Sequence, residues 1–157
     1  MLLDTLLEVR RRSEALISGL EPEDLGLQGM ADASPPKWHL AHTTWFFDTF
    51  VLQPHLASHT PCDPRWSYQF NSYYEAVGER HPRSERGVLS RPTIREILEW
   101  RAVVDAGLKQ LLSEEPTPEL RTLVELGLQH EQQHQELLLM DLLDGFSRQP
   151  LEPIYGD

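Results

Sequence analysis

Apolar residues recur at helical spacing in four stretches of the chain. In the first, from Leu2 to Gly19, the residues Leu3, Leu6, Leu7, Leu16 and Leu20 fit one stripe, and Gly19 followed by Pro22 ends it. The second opens at Ser34, an N-cap type, with Pro35 preset for the first turn, and runs to Leu52 before Pro54. The third begins after Pro92, where Thr93 and Glu96 make a capping-box pattern, and runs to Leu112. The fourth runs from Pro118 to Gly145. Strand-type alternation is not evident. The pattern predicts an all-α fold, a four-helix bundle with one long crossover between the second and third helices.

The crossover, Gln53 to Arg91, is long for a compact domain, and connections of that length are often functional. It carries Trp66, Tyr68, Phe70, Tyr73 and Tyr74, a composition unlike disorder. It is expected to pack across one end of the bundle, with a short helix near Ser72 to Val77. Residues 1–149 make up the bundle, and Pro150, Pro153, Ile154 and Tyr155 mark residues 150–157 as a linker or the start of a further domain.

Charge and cysteine content narrow the function. The formal net charge of −11 repels phosphate backbones and argues against nucleic-acid binding. The single cysteine, Cys62, excludes an internal disulfide, a cysteine-based zinc cluster and an iron–sulfur cluster, and it suits a reducing cytoplasm. In MLLDTLLEVRRR the basic run follows the apolar part, the wrong order for a secretory signal. No apolar run reaches the roughly 18 residues needed to span a membrane.

Histidine placement carries the chemistry. His130 and His134 lie one turn apart on the fourth helix, on its apolar stripe of Leu120, Leu123, Gly127, Leu138 and Asp141. Two inward imidazoles this close need hydrogen-bond partners or a shared metal. The second helix offers a third ligand. His42 shares a face with Trp38 and Trp45, whereas His39 is offset toward the edge, so periodicity favours His42 with His39 as its neighbour. His55 and His59, between Pro54 and Pro61, are expected to face solvent, and His81 to line a pocket in an Arg-rich turn. Three neutral imidazoles from two helices leave the far side of a divalent metal open and electropositive, which favours an anionic ligand and deprotonates a bound thiol. The spacing His130-Glu131-x-x-His134 also matches zinc proteases with Glu131 as general base, but the best third ligand lies upstream and no sheet edge is evident to hold a peptide.

Longer motifs add a family. SPPKWHLAHTTWFF (34–47), NSYYEAVG (71–78), RHPR (80–83) with Arg86-Gly87, LSRPT (89–93) and HEQQHQEL (130–137) resemble, in order, the N-terminal domain of ergothioneine-biosynthesis sulfoxide synthases. The resemblance implies a DinB-like four-helix bundle holding non-haem Fe(II) through His42, His130 and His134, with zinc or nickel as alternatives in the expressed protein. It implies a reaction in which dioxygen joins the sulfur of cysteine or γ-glutamylcysteine to hercynine. Gln133 is then the contact to the hercynine imidazole, and Arg83 and Arg86 clamp the carboxylate of the thiol substrate. Tyr73 and Tyr74 deliver a proton as the catalytic pair. The family has a second domain, resembling formylglycine-generating enzymes, where this sequence ends, so the chain alone is expected to bind metal with little synthase activity. The alternatives are a stand-alone DinB-like metal-dependent thiol transferase, which needs no oxygen, and a non-enzymatic metal-binding domain.

Overall fold

Among the residues that the computed structural model describes, 1–72 and 78–156, the apolar periodicity resolves into six α-helices rather than four. They are α1 (Leu2–Ala15), α2 (Pro36–Phe46), α3 (Gln53–His55), α4 (Pro64–Phe70), α5 (Ile94–Leu111) and α6 (Pro118–Ser147). Short 3-10 segments lie at Asp24–Gly26 and Arg83–Val88, and no strand occurs among the described residues.

Local chemistry sets the boundaries. Thr93 caps α5 through the expected box, its N–H donating to Glu96 Oε2 at 2.7 Å and its Oγ1 accepting from the Glu96 N–H at 3.3 Å. Thr117 Oγ1 likewise accepts from the Leu120 N–H at 3.3 Å at the start of α6. Helix α1 stops at Ala15, short of Gly19, because the chain tightens into i→i+3 bonds, with Ile17 N–H on Glu14 O at 3.1 Å and Ser18 N–H on Ala15 O at 3.3 Å. Ser34 is not the cap of α2. Its hydroxyl accepts from Arg86 Nη1 at 2.8 Å, and Pro35 takes the cap position instead.

The expected second helix is divided into α2, a π-helical stretch Phe47–Leu52 and α3. Every residue from Trp38 to Asp48 is buried, so α2 and the start of the π-helical stretch lie within the core on all sides. Asp48 accepts from Trp100 Nε1 at 2.7 Å and Gln53 Nε2 at 2.8 Å, and its Oδ1 lies 3.0 Å from His59 Nε2. His59 is therefore drawn inward by a carboxylate and does not face solvent, whereas His55 is exposed.

Helix α2 packs along α6 and α5, and α1 packs on the same two. Close approach of α2 and α6 depends on Gly127, where a Cβ would lie 2.6 Å from Phe47 Cε1 and 2.8 Å from Phe46 Cε1. The buried face of α1 is Leu6, Val9, Arg10 and Ser13, so the apolar stripe read from the leucines is interrupted by charge. Arg10 and Arg101, both fully buried, flank the equally buried Glu131. Glu131 accepts from Arg10 Nη1 at 2.9 Å, from Ser13 Oγ at 2.7 Å, and from Arg101 Nη2. Burial opposes ionisation of Glu131, but Arg101 and Arg10 outweigh it and hold its pKa down to about 2. This network fixes the rotation of α1, α5 and α6 about one another.

The connection between α3 and α5 is partly ordered by α4, which Asp63 caps by accepting from the Arg65 N–H at 2.9 Å. The short helix expected at Ser72 to Val77 falls, beyond Ser72, outside the described residues. After α6 the chain turns back, and Tyr155 OH donates to Leu16 O at 2.9 Å. No described helix is long and apolar enough to cross a membrane.

Candidate metal centre

Four histidines gather where α2 faces α6. His42, His130 and His134 each offer a ring nitrogen within 4.8 Å of the other two. Their ring centroids form a near-equilateral triangle, with His42–His134 and His130–His134 at 4.6 Å and His42–His130 at 4.9 Å. His42 Nε2 and His130 Nε2 are 3.1 Å apart. Two nitrogens bound to one cation at about 2.1 Å sit roughly 3.0–3.4 Å apart at octahedral or tetrahedral angles, so the spacing fits a shared divalent metal. His130 Nδ1 is buried without a hydrogen-bond partner, an arrangement that ordinary core packing does not favour.

Two of the three rings, His42 and His134, are held from behind. His42 Nδ1 lies 2.6 Å from Phe70 O, one of the carbonyls freed at the C-terminal end of α4, and Trp38 Nε1 donates to the neighbouring Gln69 O at 3.0 Å. The Trp38 ring stacks on His42 with centroids 4.6 Å apart, and the buried Arg86 guanidinium lies 3.4 Å over Trp38. His39 stands behind His134, with Nδ1 on His134 Nδ1 at 2.8 Å and Nε2 on Asp141 Oδ2 at 3.0 Å. Burial lowers the pKa of all four imidazoles, that of His130 to about 4, and mutual repulsion lowers His42 and His134 further. The rings are therefore neutral near pH 7, the state in which imidazole ligates.

The centre opens onto a cavity of about 450 Å³. Arg83, Arg86, Ser72, Gln133 and Leu137 line it beside the histidines, and among the described residues no carboxylate does. Arg86 is buried and anchored by Ser34 Oγ at 2.8 Å and Ser72 Oγ at 3.2 Å, whereas Arg83 is exposed. Gln28 holds the segment bearing both arginines, donating to Arg83 O at 2.8 Å and accepting from the Gly87 N–H at 2.6 Å. His81, with Arg80 and Pro82, lines an adjoining cavity of about 250 Å³ that shares Ser72, Arg83 and Arg86. Tyr73 and Tyr74 lie outside the described residues.

Glu131 does not line the cavity, and its carboxylate is committed to Arg10, Arg101 and Ser13. It has no access to a metal-bound water, which removes the protease reading of the His-Glu-x-x-His spacing. Sequence reasoning missed three supports of the site: Asp141 behind His39, Gln28 under the arginines, and the Phe70 carbonyl.

Fold and site together define an all-helical protein with a candidate three-imidazole metal centre between two of its longer helices. A family model described as DinB superfamily matches residues 5–138, and the chain belongs to that superfamily, whose domains often bind metal. No curated protein matches the chain.

Proposed function

We propose that this chain is the metal-binding domain of a cytoplasmic non-haem iron(II) sulfoxide synthase that joins cysteine or γ-glutamylcysteine to hercynine with O2. In this reading α1, α2, α5 and α6 are the DinB-type four-helix bundle, with Gln53 to Arg91 as the crossover. Residues 1–149 are then the domain, and residues 150–157 lead toward a C-terminal domain of the same longer chain. One observation carries the proposal: a single cavity joins three neutral imidazoles to Arg83, Arg86 and Gln133, with no carboxylate among its described lining residues. Such a pocket selects a small anionic molecule and leaves room for a second, neutral-ring substrate.

Iron bound by His42, His130 and His134 would supply a Lewis-acidic, redox-active centre with open positions. The remaining work falls to the chain. Arg86, pinned by Ser34 and Ser72, is a fixed positive charge beside the rings, and Arg83 at the mouth takes the thiol substrate's carboxylate. Gln133 presents an amide one turn from His130, placed to hydrogen-bond the hercynine imidazole. Tyr73 and Tyr74 are the proton donors in this reading. The Trp38 ring and Leu137 exclude water from one side of the pocket.

The Co(II)-loaded chain tests the proposal through its visible spectrum. Cysteine or γ-glutamylcysteine should add a sulfur-to-metal charge-transfer band, and hercynine should perturb the ligand-field bands. Indifference to both ligands would overturn the reading. Superfamily membership favours one alternative, a metal-dependent thiol transferase, which would conjugate thiol to an electrophile without consuming oxygen.

A further inference from the structure

We infer that His39 and Asp141 form a positioning relay that sets the tautomer and aim of His134 at the metal centre. The inference rests on the metal-binding reading of the three histidines and adds two residues that are not themselves ligands in it.

The relay follows from donor and acceptor bookkeeping. Asp141 Oδ2 accepts from the Ser34 N–H at 2.8 Å and lies 3.0 Å from His39 Nε2. A carboxylate oxygen that already accepts one bond requires the proton of the second to sit on His39 Nε2. A neutral imidazole then has a bare Nδ1, and His39 Nδ1 lies 2.8 Å from His134 Nδ1. That contact is a hydrogen bond only if His134 Nδ1 carries the proton. The lone pair of His134 is thereby left on Nε2, the nitrogen not engaged by His39. One carboxylate thus dictates the state of two rings in series.

His42 is oriented by a different device, the backbone carbonyl of Phe70, and His130 Nδ1 has no partner. Among the described residues, His134 is the one ring of the triangle that is backed by a carboxylate. The carboxylate polarises the His134 N–H through His39, which raises the donor strength of Nε2. Carboxylate and carbonyl partners of this kind typically change metal affinity ten- to a hundredfold. His39 and Asp141 are both largely buried, with side chains 4% and 11% exposed, so solvent does not replace the relay when it is cut.

The test is a Co(II) titration against a competing chelator, run on the wild-type chain, Asp141→Asn, His39→Ala and the double variant. Proton NMR of each Co(II) form reads the exchangeable ring N–H signals. The relay predicts that both single variants still bind one Co(II) at saturation but about ten- to a hundredfold more weakly. It also predicts that the solvent-protected His134 N–H signal exchanges faster or disappears. The double variant should be no weaker than His39→Ala alone, because the two residues act in series. Asp141→Asn is nearly isosteric and carries the test if His39→Ala unfolds. Wild-type affinity and an unchanged N–H signal in Asp141→Asn would overturn the relay while the metal site stands. A wild-type chain that takes no Co(II) would overturn the metal reading and the relay with it.

Discussion

Glu131→Gln separates the architecture from the motif that its sequence context suggests. The carboxylate lies between two guanidinium groups, Arg10 and Arg101, with all three side chains fully buried. Neutralising it keeps the side-chain volume but leaves Arg101 with Glu14 and Arg10 with Asp105 as their remaining carboxylates, both partly exposed. Removing one partner of a buried ion pair costs about 3–5 kcal/mol, because the other charge stays desolvated. In a domain of this size each kcal/mol moves the melting midpoint by roughly 2–4 °C, so the variant should melt about 6–20 °C lower. Urea unfolding followed by circular dichroism measures the loss directly. Replacing Arg10, Arg101 and Glu131 together by Met or Leu should recover part of it, since no fully buried charge is then stranded and the carboxylates left behind, Asp105 and Glu14, reach solvent in part. A Glu131→Gln protein within about 1 kcal/mol of wild type would refute the reasoning and reopen a catalytic role for the residue.

Other outcomes follow from the same structure. Gly127→Ala should destabilise the fold by about 1–3 kcal/mol and weaken metal binding, because the new methyl meets the Phe46 and Phe47 rings one turn before His130; thermal melting and metal titration both read it. The metal-free chain should lose stability as pH falls. His39, His42, His130 and His134 bind protons more weakly when folded than the ordinary 6.5, so the unfolded state takes up more protons and stability rises with pH. Melting midpoints should fall from about pH 7 toward pH 4, with His130 alone contributing about 3 kcal/mol across that window. Glu131 adds a second loss only below about pH 4.5; a flat profile between pH 7 and 4.5 would contradict the burial of neutral imidazoles. Arg83→Ala should weaken binding of an anionic thiol to the metal-loaded chain about tenfold or more without lowering the melting midpoint, as isothermal titration would show.

What the sequence disclosed was local. The Thr93 and Glu96 box and the His130 and His134 spacing depend only on neighbours three and four residues away, and both are found in the expected geometry. Other features depend on partners remote in the chain. Arg10 joins the core because Asp105 and Glu131 lie 95 and 121 residues further on. His59 turns inward for Asp48, which lies at the end of a run buried on all sides from Trp38 onward, in a π-helical stretch that no apolar period announces. Helix α4 is signalled only by Asp63 and Pro64, a short cap pattern easily lost among prolines and aromatics. Periodicity alone separates His39 from His42, yet the pairing of His39 with His134 and Asp141 is visible only once α2 and α6 are packed.

The central claim is that three imidazoles from α2 and α6 hold one divalent metal. Anaerobic titration of the metal-stripped chain with Fe(II), read by metal analysis after desalting, tests it most directly. The account predicts one ion per wild-type chain and almost none in His42→Ala, His130→Ala or His134→Ala, with His39→Ala still loading at excess metal. Full loading of the His42→Ala chain, or none in His39→Ala while His42→Ala loads, would contradict it.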